Sequence, residues 1–107
     1  GALTETTFLI LLTLYTPNHG YGIMQFIEWA TEGRVVLGAG TLYGAMNTLA
    51  KKKWIVPLDD EADSKRKRYV ISDIGKQKAE AELRRMSQVW KLAATIIGGG
   101  GNEWGKQ

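Results

Sequence analysis

The sequence predicts an α+β, mainly α fold: three short helices, a two-stranded hairpin and one long terminal helix. Three observations predict it. Apolar residues recur at helical spacing over residues 4–15, 21–31, 41–53 and 73–97. Two short β-prone runs, WIVPL at residues 54–58 and RYVIS at residues 68–72, flank a polar charged segment, as hairpin arms do. Breakers fall between the periodic runs: Pro17 and Gly20, then Gly33, then Gly38 and Gly40.

Each element has its own reason. In residues 4–15, with Thr4 as the expected cap, Phe8, Leu11, Leu12 and Tyr15 share one face. Leu9, Ile10 and Leu14 point elsewhere, so the helix is apolar nearly all round and is expected to be buried on more than one side. The second helix turns Ile23, Phe26, Ile27 and Ala30 inward and ends at Gly33. Arg34, Val35, Val36 and Leu37 read as a short strand. The third helix has an inner stripe of Leu42, Ala45, Met46 and Leu49, with Gly40, Gly44, Asn47 and Lys51 opposite and Thr41, Tyr43 and Thr48 flanking. Ser72 reads as the N-cap of the last helix. There Ala79, Leu83, Met86, Trp90, Ala93 and Ile97 repeat at four- and three-residue steps, the spacing of a helix–helix seam.

At 107 residues the chain has room for one domain, and so small a core gains from a partner chain. The apolar surplus on the first and last helices points the same way, to a homodimer. With no cysteine, disulfides, thiolate zinc sites and a cysteine nucleophile are excluded. No apolar run approaches the roughly 20 residues of a membrane span, and no signal-peptide pattern opens the chain. We therefore expect a cytoplasmic protein without membrane association.

The net charge of +3 is concentrated. Seven of the 14 basic residues are Lys51, Lys52, Lys53, Lys65, Arg66, Lys67 and Arg68, with Asp59, Asp60, Glu61 and Asp63 between the two clusters. Three helices, a hairpin and a trailing helix follow the order of a winged helix-turn-helix. In that arrangement the third helix enters the DNA major groove by its N-terminal end, and the hairpin forms a wing beside the phosphates. Both basic clusters then lie where cations at phosphates displace counterions. Thr41, Tyr43 and Asn47 can hydrogen-bond phosphates or base edges, and Gly40 and Gly44 would admit close approach of the helix backbone. Each reading has a plainer rival. A lysine triplet at a helix end also complements the helix dipole, and Tyr43 also reads as a half-buried packing residue.

Three blocks carry a family resemblance: HGYGIMQFIE (residues 19–28), GTLYGAMNTLAKKKWI (40–55) and KRKRYVISDIGKQKAE (65–80). In order and spacing they resemble the PadR family of bacterial transcriptional regulators. The short C-terminal part is similar to its small subgroup, which has a single dimerisation helix. The resemblance implies a homodimeric repressor on a palindromic operator, with Tyr43 and Tyr69 as family positions. It also implies, as in multidrug-sensing members, a small aromatic effector at an aromatic residue of the last helix, where this chain has Trp90. Met86, Thr7, Ile10 and Leu11 would supply the remaining walls. Two features depart from the family: it often has proline where this chain has Gly44, and a glycine-rich wing tip where this one reads DDEADSK.

The expected division is residues 1–72 for DNA binding, 73–98 for dimerisation and 99–107 as a tail. Trp90 also reads as ordinary dimer core. Trp29 and Trp54 read as packing residues at element ends, and His19 as a structural turn residue. Neither a cofactor nor a metal site is expected. One histidine, no phosphate loop and no paired acid and base argue against an enzyme. The rival of a different class is a winged helix used as a protein–protein assembly module.

Overall fold

The computed structural model describes residues 2–58 and 66–99. Helices α1 (Glu5–Thr13), α2 (Gly20–Ala30) and α3 (Ala39–Lys51) precede strands β1 (Ile55–Pro57) and β2 (Tyr69–Ile71), and α4 (Asp73–Ile97) follows. This is the mainly helical winged arrangement that the sequence predicts. The segment 59–65, which includes Lys65 and the acidic cluster, lies outside the described residues, as does 100–107 with Trp104.

Local chemistry sets the helix ends. Thr4 caps α1 by accepting from the Thr7 N–H, and Ser72 caps α4 by accepting from Gly75. In α2 the ring nitrogen of His19 does this work, accepting from Gly22 N–H at 3.1 Å. Helix α3 starts two residues earlier than its apolar stripe indicates, with Gly38 at the cap position and no side-chain cap hydrogen bond. Both α2 and α3 end in the two-bond motif that requires one left-handed residue. At α3, Trp54 N–H reaches Leu49 O and Lys53 N–H reaches Ala50 O, with Lys53 at φ 63°. At α2 the left-handed residue is Glu32, φ 52°, with Gly33 following it at φ 78°.

The core joins Ile10, Leu11 and Leu14 of α1 to Ile23 and Ile27 of α2 and to Leu42, Met46 and Leu49 of α3. Ile55, Ile71 and Ala79 close it from the hairpin and α4. Each of the isoleucine, leucine and methionine side chains contributes about 1.5–3 kcal/mol on burial. In α1, Leu11 of the Phe8–Tyr15 face is fully buried together with Ile10 and Leu14, while Leu12 and Tyr15 of that face are exposed. An all-round apolar helix carries no periodic signal to choose between these faces. Phe26 and Ala30 of α2 are likewise exposed, and only Ile23 and Ile27 of the expected set face the core.

The strands pair antiparallel, Ile55 with Ile71 and Pro57 with Tyr69. The expected strand over residues 34–37 does not form. Val35 bonds back to the C-cap of α2 instead, its N–H donating to Thr31 Oγ1 at 3.0 Å. The segment that flanks β2 on its free side is the turn after α1. Asn18 and Tyr69 exchange both backbone bonds, at 3.1 and 2.8 Å, and Ile71 N–H reaches Leu14 O. Where α4 leaves the hairpin, Ser72 N–H donates to Trp54 O at 2.9 Å and Ser72 Oγ donates to Lys53 O at 2.6 Å. A Cβ on Gly75 would stand 2.2 Å from Trp54 O, so only glycine permits this approach.

Candidate nucleic-acid interface

Helix α3 has two unlike faces. Leu42, Met46 and Leu49 are buried, while Gly40, Thr41, Gly44, Asn47, Thr48 and Lys51 are exposed. A Cβ on Gly40 or Gly44 would meet no atom within 4 Å, so the fold itself does not require either glycine. Without a side-chain cap, the first-turn N–H groups of α3 are left to solvent or to an external acceptor.

Tyr43 does two things at once. It is 36% exposed, and its ring covers Gly20 at the start of α2. The neighbouring glycine of the HGYG run, Gly22, has Asn18 in the space a Cβ would take. These two glycines are therefore packing requirements of the α2 start, a signal present in the sequence that periodicity does not read.

The basic clusters occupy opposite ends of the hairpin. Lys51, Lys52 and Lys53 lie at the end of α3, are exposed, and make no ion pair among the described residues. Lys52 Nζ sits 4.8 Å from the centre of the Trp54 ring, and Lys78 reaches the same ring at 5.7 Å. At the far end, Leu58 N–H donates to Arg68 O, which places Arg68 beside Leu58. The three extended residues of β1, roughly 10 Å in all, lie between the two clusters. Arg66 and Arg68 are exposed, whereas Lys67 is half-buried with its Nζ 5.9 Å from the Tyr69 ring centre. Tyr69 packs against the core and bridges to Asn18, so it has a structural role at the wing base.

Residues expected around an effector are not gathered within one chain. Ile10 and Leu11 have no exposure and belong to the core, so in this conformation they cannot wall an open pocket. Thr7 lines a groove with Thr4, Thr48 and Trp54 between α1 and α3. Trp90 and Met86 stand exposed on α4, Trp90 at 70%. The last buried residue of α4 is Glu82, which accepts from Leu3 N–H at 3.4 Å at the α1 end of the chain. Trp90 is eight residues further on, about 12 Å along the helix.

Two arginines among the described residues grip carboxylates through two hydrogen bonds each. Arg34 grips Glu5 through both guanidinium nitrogens at 2.9 and 2.7 Å, and this hydrogen bonding holds the Glu5 carboxyl below its ordinary range. Arg85 does the same to the buried Glu82. Among the described residues no cluster of three or more potential metal ligands occurs, and no helix is long and apolar enough to cross a membrane.

Comparison with known proteins agrees with this geometry. Residues 8–81 match the description "Transcriptional regulator PadR-like family". A PadR-like transcriptional regulator from Bacillus cereus superimposes with a TM-score of 0.73 at 22% identity, over 88% of this chain and 92% of its own. A PadR family transcriptional regulator from Eggerthella lenta is 26% identical, with a TM-score of 0.63 over 87% and 78% of the two chains. An uncharacterized 37.1 kDa protein in transposon TN4556 of Streptomyces fradiae is 32% identical over 86 residues. That match covers 79% of this chain and only 24% of the relative's length. The matched residues run from α1 through the hairpin into α4, the whole of the winged unit built above, and on that ground the chain belongs to the PadR-like family of transcriptional regulators.

Proposed function

We propose that the chain works as a homodimeric repressor, with α3 in the major groove of a palindromic operator and the hairpin beside a neighbouring phosphate backbone. The observation that carries this reading is the outward face of α3. It combines hydrogen-bonding side chains (Thr41, Asn47, half-exposed Tyr43), a cation at its last turn (Lys51) and two glycines for which the fold has no use. Glycine inside a helix is unfavourable by about 1 kcal/mol relative to alanine, so two such glycines on the outward face favour a surface that must approach another molecule closely. Lys65, Arg66, Lys67 and Arg68 hold phosphate at the wing, and Tyr69 fixes the wing base. With β1 standing between them, the two basic clusters suit two separate phosphate contacts better than one patch.

The dimer rests on α4. Beyond Glu82 no residue of α4 is buried, although Leu83, Met86, Val89, Trp90, Leu92, Ile96 and Ile97 are apolar and exposed. Those 15 residues would be a marginal helix alone, and a second copy offers the matching seam. Across its two-fold axis, facing Trp90 rings with Met86 beside them form a site for a planar aromatic effector. Such a ligand acts by binding one separation of the two recognition helices better than another. The compartment that fits this activity is the cytoplasm.

Selection from a random duplex library, followed by binding across a salt series, tests the DNA reading. A palindromic consensus bound with a log–log salt slope of several units is the expected result. Retention of no duplex above non-specific levels would overturn it in favour of an assembly module.

A further inference from the structure

We infer that the groove along the outer face of α2 is a docking surface for a basic, apolar-anchored segment of a different protein. The groove, of about 1020 Å³, runs from α2 to the chain that leads into α3. Its walls include Tyr21, Met24, Trp29 and Val36, with Glu28 and Glu32 among them.

Trp29 is 75% exposed, Tyr21 59% and Val36 65%, on a chain whose core is otherwise closed around α2. Trp29, expected to be a packing residue, instead presents its indole outward. Phe26 steadies it from the side, with ring centres 5.9 Å apart and planes tilted by 51°. An exposed tryptophan and tyrosine beside a methionine make the composition of an interface centre, where such side chains carry most of the binding energy.

Charge selects the occupant. The groove lining contains two carboxylates and no basic residue, in a chain of net charge +3. Glu28, in the last turn of α2, and Glu32, just past its end, make no ion pair among the described residues; the nearby Arg34 is taken by Glu5. Glu32 moreover occupies the left-handed position, φ 52°, at the end of α2, where glycine is favoured. A carboxylate is thus kept at the groove at a conformational cost. The two carboxylates repel phosphate, which separates this surface from the DNA-facing one. They attract lysine or arginine, and the aromatic floor takes the leucine or phenylalanine anchors between them.

The test uses the whole ¹⁵N-labelled chain and a synthetic amphipathic helix of leucine and lysine. The peptide is expected to shift the amides of residues 20–37 and the Trp29 indole. Trp29→Ala should weaken binding about tenfold, a loss of about 1.4 kcal/mol. The double change Glu28→Gln with Glu32→Gln should weaken it several-fold and flatten its salt dependence. Because Trp29 is largely exposed, its removal should leave melting and DNA binding unchanged, so failure here is distinct from failure of the DNA reading. Shifts mapping to residues 83–97, or equal binding of a leucine–glutamate peptide, would overturn the inference. So would undiminished binding by Trp29→Ala. A smaller assembly of the free Trp29→Ala chain in sedimentation would make a second copy the occupant, and overturn it too.

Discussion

Tyr43 of α3 lies directly over Gly20 of α2: a Cβ placed on Gly20 would stand 2.5 Å from the Tyr43 hydroxyl oxygen. The same ring is therefore a spacer between two helices and a candidate DNA contact. Gly20→Ala must displace it, and overpacking of this kind costs about 1–3 kcal/mol. Chemical denaturation should show that loss in the otherwise unchanged chain and little of it in a Tyr43→Ala background. An equal loss in both backgrounds would mean that the penalty arises elsewhere on α2.

Lys53 is the left-handed residue that ends α3, φ 63°, a conformation in which any side chain with a Cβ is disfavoured. Lys53→Gly should stabilise the protein by about 1 kcal/mol, seen as a melting temperature several degrees higher. If Lys53 also sits at a phosphate, the same variant should bind DNA with a salt slope shallower by about one unit. The two readouts are independent, and opposite signs of stability and affinity would mark a residue kept for its charge.

How much of this was legible in the sequence depends on the signal. Ser72 and the a/d stripe placed α4 at its observed bounds, since cap chemistry and apolar period both act within one helix. The inner stripe of α3 was legible for the same reason, because only one of its faces is apolar. The face of α1 was not, because every face is. The bridge between Asn18 and Tyr69 was not legible, because it is made by backbone groups, which carry no sequence mark. The exposure of Trp29 was hidden too, because a tryptophan near a helix end reads as packing until its neighbours are in place. Of the candidate site, residue types on α3 were legible. The Tyr43–Gly20 contact and the separation of the two basic clusters needed the fold.

Glu82 is a buried carboxylate, 5% exposed, held by Arg85 and by the Leu3 N–H. The Arg85 hydrogen bond lowers its pKa, opposed by burial and helped by Leu3. A lowered folded-state pKa means that the stabilisation is complete above the unfolded carboxylate value, about 4.3, and is lost as pH falls through the folded value. Melting temperature should therefore fall on acidification below about pH 4.3. Glu82→Gln should be less stable at neutral pH and show a flatter acid limb. An acid limb identical to that of the parent would show that other carboxylates govern it.

The exposed stripe on α4 makes a separable prediction. Replacing Leu83 and Val89 by glutamate puts four like charges across a two-fold seam, and sedimentation should then show a monomer with weakened operator binding. Trp90→Ala removes one ring from a stripe that retains Met86, Leu92 and Ile96, so the dimer and its operator binding should persist. Its fluorescence response to planar aromatic compounds should disappear. Loss of dimer, operator binding and ligand response together would reduce Trp90 to interface core.

Gly44 separates fold from function most cleanly. Its Cβ position is empty, and its carbonyl already accepts from Thr48 Oγ1 at 3.2 Å, so alanine introduces no clash and breaks no bond. On helix propensity alone, Gly44→Ala should stabilise the chain by about 0.5–1 kcal/mol. Against DNA the sign reverses if the backbone of α3 approaches base edges at this turn, because even one methyl group holds the helix off. Operator affinity should then fall with Ala and fall further with Leu, while melting temperature rises or holds. A variant that gains stability and keeps full affinity would mean that the α3 face meets DNA through its side chains alone.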